Sequence, residues 1–146
     1  MICPCQQLQT TPISYENCCK PFHDGLPAKK AEALMRSRFS AYILGLSDYL
    51  KNTWHSTTCP NPLEVEPDSQ WLKLEIVSSS NHHVHFKAFF KEGSEFKYLE
   101  ESSNFIQEHD KLVYLDGETK VGIAQQNRNN LCLCNSGKKF KKCCAN

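Results

Sequence analysis

With 146 residues, 40% of them hydrophobic, the chain is long enough for one compact domain around a main core and too short for two. A formal net charge of +1 hides an asymmetry: five of the 17 basic residues and none of the 16 acidic ones lie within 128–146, which excludes a binder that is basic along its whole length. No apolar run approaches the roughly 18 residues of a membrane span, and the opening Met-Ile-Cys-Pro-Cys carries no basic or apolar leader, so a cytoplasmic protein without membrane contact is expected.

Residues 1–27 hold Pro4, Pro12, Pro21 and Pro27 in turn-like settings and read as a loop-rich segment. From about Ala28 to Gly45, the residues Ala31, Leu34, Met35, Phe39, Tyr42 and Leu46 recur every three or four positions, which predicts a helix that Gly45 stops. Ser47 stands where a side chain would cap a second, shorter helix through Tyr49, Leu50 and Trp54, with Asp48 in its first turn. Pro60, Pro62 and Pro67 mark 55–70 as an extended connection.

Beyond it the period changes to two. Leu72, Leu74 and Ile76 alternate with Lys73 and Glu75, and Val84, Phe86, Ala88 and Phe90 alternate with polar neighbours. Gly93-Ser94 separates the second strand from a third over about 95–107, and His109-Asp110 separates the third from a fourth over 112–115. Four strands with short turns predict an antiparallel meander with one apolar face, and two preceding helices predict an α+β domain with the helices packed on that face. Residues 117–131 are polar and unpatterned and read as a linker.

Eight of the nine cysteines fall into two clusters, Cys3, Cys5, Cys18 and Cys19 at one end and Cys132, Cys134, Cys143 and Cys144 at the other. In a reducing compartment such clusters point to metal rather than to disulfides, and four thiolates suit tetrahedral zinc, although thiolates alone also suit iron. The tail turns through Asn135-Ser136-Gly137, where Gly137 is free to take a positive φ. The first loop is longer, twelve residues against eight, but this adds only about 0.4 kcal/mol of closure cost. Zinc is therefore expected at the tail, and a second zinc at the N-terminus, where Gln6-Gln7-Leu8 lacks the glycine turn and His23 offers a competing ligand. Cys59, beside Pro60, reads as a spectator.

Cys132-x-Cys134-x8-Cys143-Cys144, with Asn135-Ser136-Gly137-Lys138-Lys139-Phe140-Lys141-Lys142 between, resembles the SEC-C motif, named for the zinc-binding tail of the preprotein translocase ATPase SecA. Together with the N-terminal cysteines, Leu34-Met35-Arg36-Ser37-Arg38-Phe39, Tyr49-Leu50 and Thr53-Trp54-His55, the whole chain resembles the bacterial YchJ family. The resemblance implies a nuclear transport factor 2-like middle domain, a curved antiparallel sheet cupped around helices, flanked by zinc knuckles at both termini. The expected division is 1–27, an N-terminal SEC-C-like knuckle; 28–124, the α+β domain; and 125–146, a linker with the SEC-C motif.

Folds of this type often enclose a pocket, but only residues can argue its use. Arg38 lies within the apolar face of the first helix and needs a partner: Glu100 or Glu101 on the third strand, or a bound anion. Trp54 and His55 close the second helix at the expected mouth. His82, His83 and His85 sit on the polar side of the second strand and read as solvent-facing. No ordered set of nucleophile, base and orienting group is visible, so a non-enzymatic role is favoured.

The leading expectation is a zinc-binding adaptor whose tail surface, Lys138, Lys139, Phe140, Lys141 and Lys142, contacts an acidic protein or ribosome partner, by analogy with SecA's motif, which meets the chaperone SecB and ribosomes. The alternative is a small-molecule-binding or enzymatic middle domain with a pocket lined by Arg38, Trp54 and His55. Weak, salt-sensitive nucleic-acid contact by the tail is a third.

Overall fold

The computed structural model describes residues 1–68 and 70–146; Ser69, in the expected 55–70 connection, lies outside the described residues. Its elements in chain order are α1 (Lys20–His23), α2 (Ala31–Leu44), α3 (Ser47–Asn52), β1 (Trp71–Ser79), β2 (His83–Glu92), β3 (Glu95–Glu108) and β4 (Lys111–Ile123). The strands form one antiparallel sheet in the order β1-β2-β3-β4, bent by irregularities in β1 and between Asn104 and Phe105 of β3. The α+β class and the helix-then-meander order are those expected from the sequence. No helix among the described residues is long and apolar enough to cross a membrane.

The helix α2 begins three residues later than expected, after an extended Lys30, and stops at Gly45 with φ 73°. A side chain at Gly45 would also collide with the Pro67 ring, 2.7 Å from where a Cβ would sit. One apolar face was expected, yet α2 is buried on two sides. Leu34, Met35 and Phe39 join the main core, while Ser37 and Ser40, both fully buried, meet other elements. The Ser37 hydroxyl bonds the Leu34 carbonyl and the Tyr49 hydroxyl at 2.8 and 2.7 Å, and Ser40 donates to the Cys19 sulfur at 3.2 Å. Small hydroxyl residues let the second face pack closely because each satisfies its own polar atom.

Ser47 does not cap α3. It is the first helical residue, and its hydroxyl exchanges hydrogen bonds with the Val65 backbone, fastening the 55–68 connection instead. The helix ends at Asn52, before Trp54. Residues 53–55 then run beside β4: Tyr114 N donates to Thr53 O at 2.8 Å and His55 N donates to Tyr114 O at 2.7 Å.

Two further corrections concern the sheet. Residues 117–123 are not linker; they continue β4 and pair with 97–103 of β3. In β1, the irregularity between Trp71 and Lys73 separates Leu72 from the face it was expected to share with Leu74 and Ile76. Leu74 lies in the main core, whereas Leu72 joins a second cluster with Phe96, Leu133 and Phe89 on the outer face. Phe89 sits among polar-side positions of β2, and its apolar ring there is the sequence sign that the outer face is covered.

Candidate metal centres

Each cysteine cluster is brought together by the same local geometry. In the N-terminal segment an isolated bridge joins Ile2 to Ser14, Cys3 N donates to Ile13 O at 3.0 Å, and a 3-10 turn over Tyr15–Asn17 delivers Cys18 and Cys19. In the tail a bridge joins Leu131 to Lys139, Cys132 N donates to Lys138 O at 2.8 Å, and a 3-10 turn over Phe140–Lys142 delivers Cys143 and Cys144. Three residues after the second cysteine, Gly137 has φ 83° and Leu8 has φ 63°. The N-terminal knuckle therefore has a left-handed residue at the same offset, although the turns differ: Asn135 is also left-handed, with φ 65°, where the N-terminal segment forms a 3-10 turn over Pro4–Gln6. Leucine in the left-handed conformation costs on the order of 1–2 kcal/mol, partly offset because Leu8 packs against the outer-face cluster.

The sulfur spacings discriminate among chemistries. Cys3 and Cys5 are 3.7 Å apart, Cys5 and Cys18 3.5 Å, Cys5 and Cys19 3.7 Å, and Cys18 and Cys19 4.0 Å. In the tail, Cys134 and Cys143 are 3.4 Å apart and Cys143 and Cys144 3.9 Å. A disulfide requires about 2.05 Å, whereas four thiolates bound at about 2.3 Å around one ion stand about 3.8 Å apart. Within each group the four sulfurs lie inside 4.8 Å of one another. Both groups fit a tetrahedral zinc site closed on all four sides.

Electrostatics argue likewise. Hydrogen bonds from Cys19 and Cys5 hold the Cys3 thiol far below its ordinary range, while burial and the neighbouring Cys5 push Cys18 up to about 12. In the tail the Ser136 hydroxyl lowers Cys134 to about 6, and neighbouring Cys132 raises Cys144 to about 12. Four sulfurs this close cannot all carry charge on their own; a dication removes the conflict.

The two centres differ in burial. Cys3, Cys5 and Cys19 are buried within the main core, beside Leu34, Phe39 and Phe86. Their surroundings supply donors to sulfur, Ser40 to Cys19 and the Gln6 amide to Cys5 at 3.6 Å. His23, the competing ligand, has both ring nitrogens engaged: Nε2 donates to Ser37 O at 2.8 Å and Nδ1 accepts from the Tyr15 hydroxyl at 2.6 Å. The tail centre buries Cys132 but exposes Cys144, and it rests on the outer face of the sheet through Leu133 and Phe140.

Two stretches of the chain match known families. Residues 30–117 match the middle NTF2-like domain of YchJ, and residues 128–146 match the SEC-C motif. The chain belongs to the YchJ family. It is 39% identical over 155 aligned positions to a UPF0225 protein of Vibrio cholerae, covering 99% of both chains. It is also 36% identical to one from Vibrio parahaemolyticus and 34% identical to one from Photorhabdus laumondii, covering 97% and 98% of each chain respectively. No solved structure matches.

In this YchJ-family member the remaining candidate residues divide. Lys138, Lys139 and Lys142 are exposed and Lys141 is half-buried, but Phe140 packs into the outer-face cluster rather than presenting itself to a partner. Arg38 and Trp54 line a cavity between α2 and the sheet, whereas His55 does not; its ring pairs with Glu108 at 3.2 Å and contacts Thr57 at the rim. Arg38 pairs with neither expected carboxylate. Glu100 points to the opposite face toward His85 and Lys120, and Glu101 accepts the Tyr114 hydroxyl at 2.6 Å. His83 and His85 bond Ser102 and Glu100 across the strands. Glu101, which the sequence offered only as a partner for Arg38, lines the cavity, and Ser103 and Tyr114 were missed as cavity residues. The period-two alternation of β3 puts Glu101 and Ser103 on the inner face, and that pattern was the available signal.

Proposed function

We propose that this protein is a cytoplasmic, non-enzymatic adaptor that holds zinc at both cysteine centres and uses its C-terminal knuckle to contact an acidic protein or ribosome partner. The N-terminal zinc, held by Cys3, Cys5, Cys18 and Cys19, completes the core. The tail zinc, held by Cys132, Cys134, Cys143 and Cys144, fixes the shape of the contacting surface.

The observation that carries the reading is a cluster of four lysines, Lys138, Lys139, Lys141 and Lys142, none of which forms an ion pair among the described residues. They are held on a short loop whose two ends are cysteine ligands, so little conformational freedom remains to be lost on association. Uncompensated charge of one sign on a rigid surface favours an oppositely charged partner and speeds encounter with it.

The test is co-sedimentation of the purified, metal-loaded chain with ribosomes at low and physiological salt, comparing wild type with Lys138→Glu/Lys139→Glu/Lys142→Glu. Loss of co-sedimentation in the triple variant, with its circular dichroism and metal content unchanged, supports the ribosome reading. Equal co-sedimentation of both proteins overturns the role of the lysines. Isolated ribosomal RNA that competes as well as whole ribosomes would identify nucleic acid, not protein, as the acidic surface.

A further inference from the structure

The concave side of the sheet and α2 line a half-open cavity of about 340 Å³. Its body is apolar, walled by Met35, Phe39, Trp71, Phe86 and Leu99. Its polar groups are few and unevenly matched. The Trp54 indole Nε1 and the Ser103 hydroxyl are both buried, and neither has a hydrogen-bond partner among the described residues. An indole N–H can only donate, and buried polar groups without partners are rare in folded proteins.

Arg38 adds a positive charge to the same wall. It is 3% exposed and fixed in place, with Nη1 donating to Leu50 O at 2.9 Å and to Thr53 Oγ1 at 2.7 Å. Its guanidinium carbon lies 4.8 Å from the Trp54 ring centre and 4.9 Å from that of Tyr114, so aromatic faces, not a carboxylate, flank the charge. The only carboxylate in the wall among the described residues, Glu101, already accepts from Tyr114 and lies back over Gly117 on β4, where a Cβ would overlap it.

We propose that this cavity binds a small, flat, mainly apolar molecule carrying a carbonyl or carboxylate oxygen at one end. The oxygen accepts from Trp54 Nε1 and Ser103 in the field of Arg38, and the apolar body lies against Phe39, Trp71 and Phe86. The volume is at the lower end of the roughly 300–1,000 Å³ of ligand pockets, which limits the occupant to a few fused rings or an equivalent short chain. The rigid arginine, clamped before any ligand arrives, is suited to selecting an acceptor at this end. No residue of the lysine-rich tail takes part, so the proposal stands or falls separately from the adaptor reading.

The experiment is a titration of the full, metal-loaded, 15N-labelled chain with sodium 2-naphthoate, with naphthalene as the probe lacking an acceptor. The expected result is a saturable downfield shift of the Trp54 indole N–H, identified by its loss in Trp54→Phe, with 2-naphthoate binding about tenfold more tightly than naphthalene. Leu99→Trp, which fills the cavity from a strand while leaving the polar groups in place, should abolish the shift in a protein whose remaining spectrum stays dispersed. Equal affinity for the two probes would overturn the assignment of an acceptor end. Shifts confined to the amides of 138–142, or none at all, would overturn the site, leaving only adventitious binding or a hydrated cavity.

Discussion

Gly117 decides where the buried Glu101 carboxyl group lies. A Cβ at this position would stand 2.8 Å from the Glu101 carboxyl carbon, because the Glu101 side chain lies flat over the strand. Gly117→Ala must therefore push Glu101 into the cavity or spread the β3–β4 pair, at a cost of about 1–3 kcal/mol in urea unfolding. If Glu101 swings toward Arg38, the variant will also lose affinity for an acceptor-bearing probe. Glu32 offers a second test at this scale. Partial burial tends to raise its carboxyl, but hydrogen bonds from Arg36 and Ser79 outweigh that and hold it below the ordinary carboxylate range. A depressed folded-state pKa gives stability that is present above the unfolded value and is lost as the pH falls through the folded one. Glu32→Gln should thus be less stable than wild type near neutrality, by under about 1 kcal/mol because the pair is partly solvated, and equal to it in strong acid.

The two cysteine knuckles show what an element can hide. Sequence spacing put four sulfurs at each end, and the turn residues made the ends look unequal. The backbones nevertheless share the bridge, the 3-10 turn before the second cysteine pair and a left-handed residue, Leu8 or Gly137, three positions after the second cysteine, while Asn135 is left-handed with no N-terminal counterpart. The surroundings differ more: the N-terminal cysteines are packed into the main core and the tail cysteines sit on the outside of the sheet. Cys3→Ser should therefore lower the urea midpoint of the whole protein and collapse the NMR dispersion of the sheet. Cys144→Ser should release metal from the tail while the amides of β2 and β3 keep their positions. Global unfolding on both substitutions would contradict this division.

At the scale of the molecule, the same division predicts metal release in two steps. Native mass spectrometry of anaerobically purified protein should give two zinc ions per chain. A chelator should remove the exposed tail ion first, with little change in circular dichroism, and the core ion only as the protein unfolds. One ion per chain would restrict the zinc to a single centre, and simultaneous loss of both would mean that the core does not shield the first. The helix α2 links these behaviours, because its Met35 and Phe39 belong to the core cluster that holds the N-terminal cysteines and also line the cavity. Filling either should slow hydrogen exchange in α2.

Much of this was legible in the chain. The period of three to four gave α2, the period of two gave the strands, and the cysteine spacings gave both sulfur groups, because these patterns reflect local geometry that each segment carries with it. The burial of the second face of α2 was not legible, since it depends on Ser37 and Ser40 satisfying their hydroxyls against elements distant in sequence. Nor was the end of β4, whose polar residues 117–123 are held by pairing to β3 and not by any pattern of their own. Arg38 shows the boundary most clearly. Its place on an apolar helix face required a buried charge with a partner, and that much followed from sequence. The partners it has, two oxygens from α3 and the residue after it and two aromatic rings, were fixed only when β4 brought Tyr114 beside Trp54 and Glu101 turned away over Gly117. Local spacing determines which atoms a segment offers, and only the tertiary fold determines which of them meet.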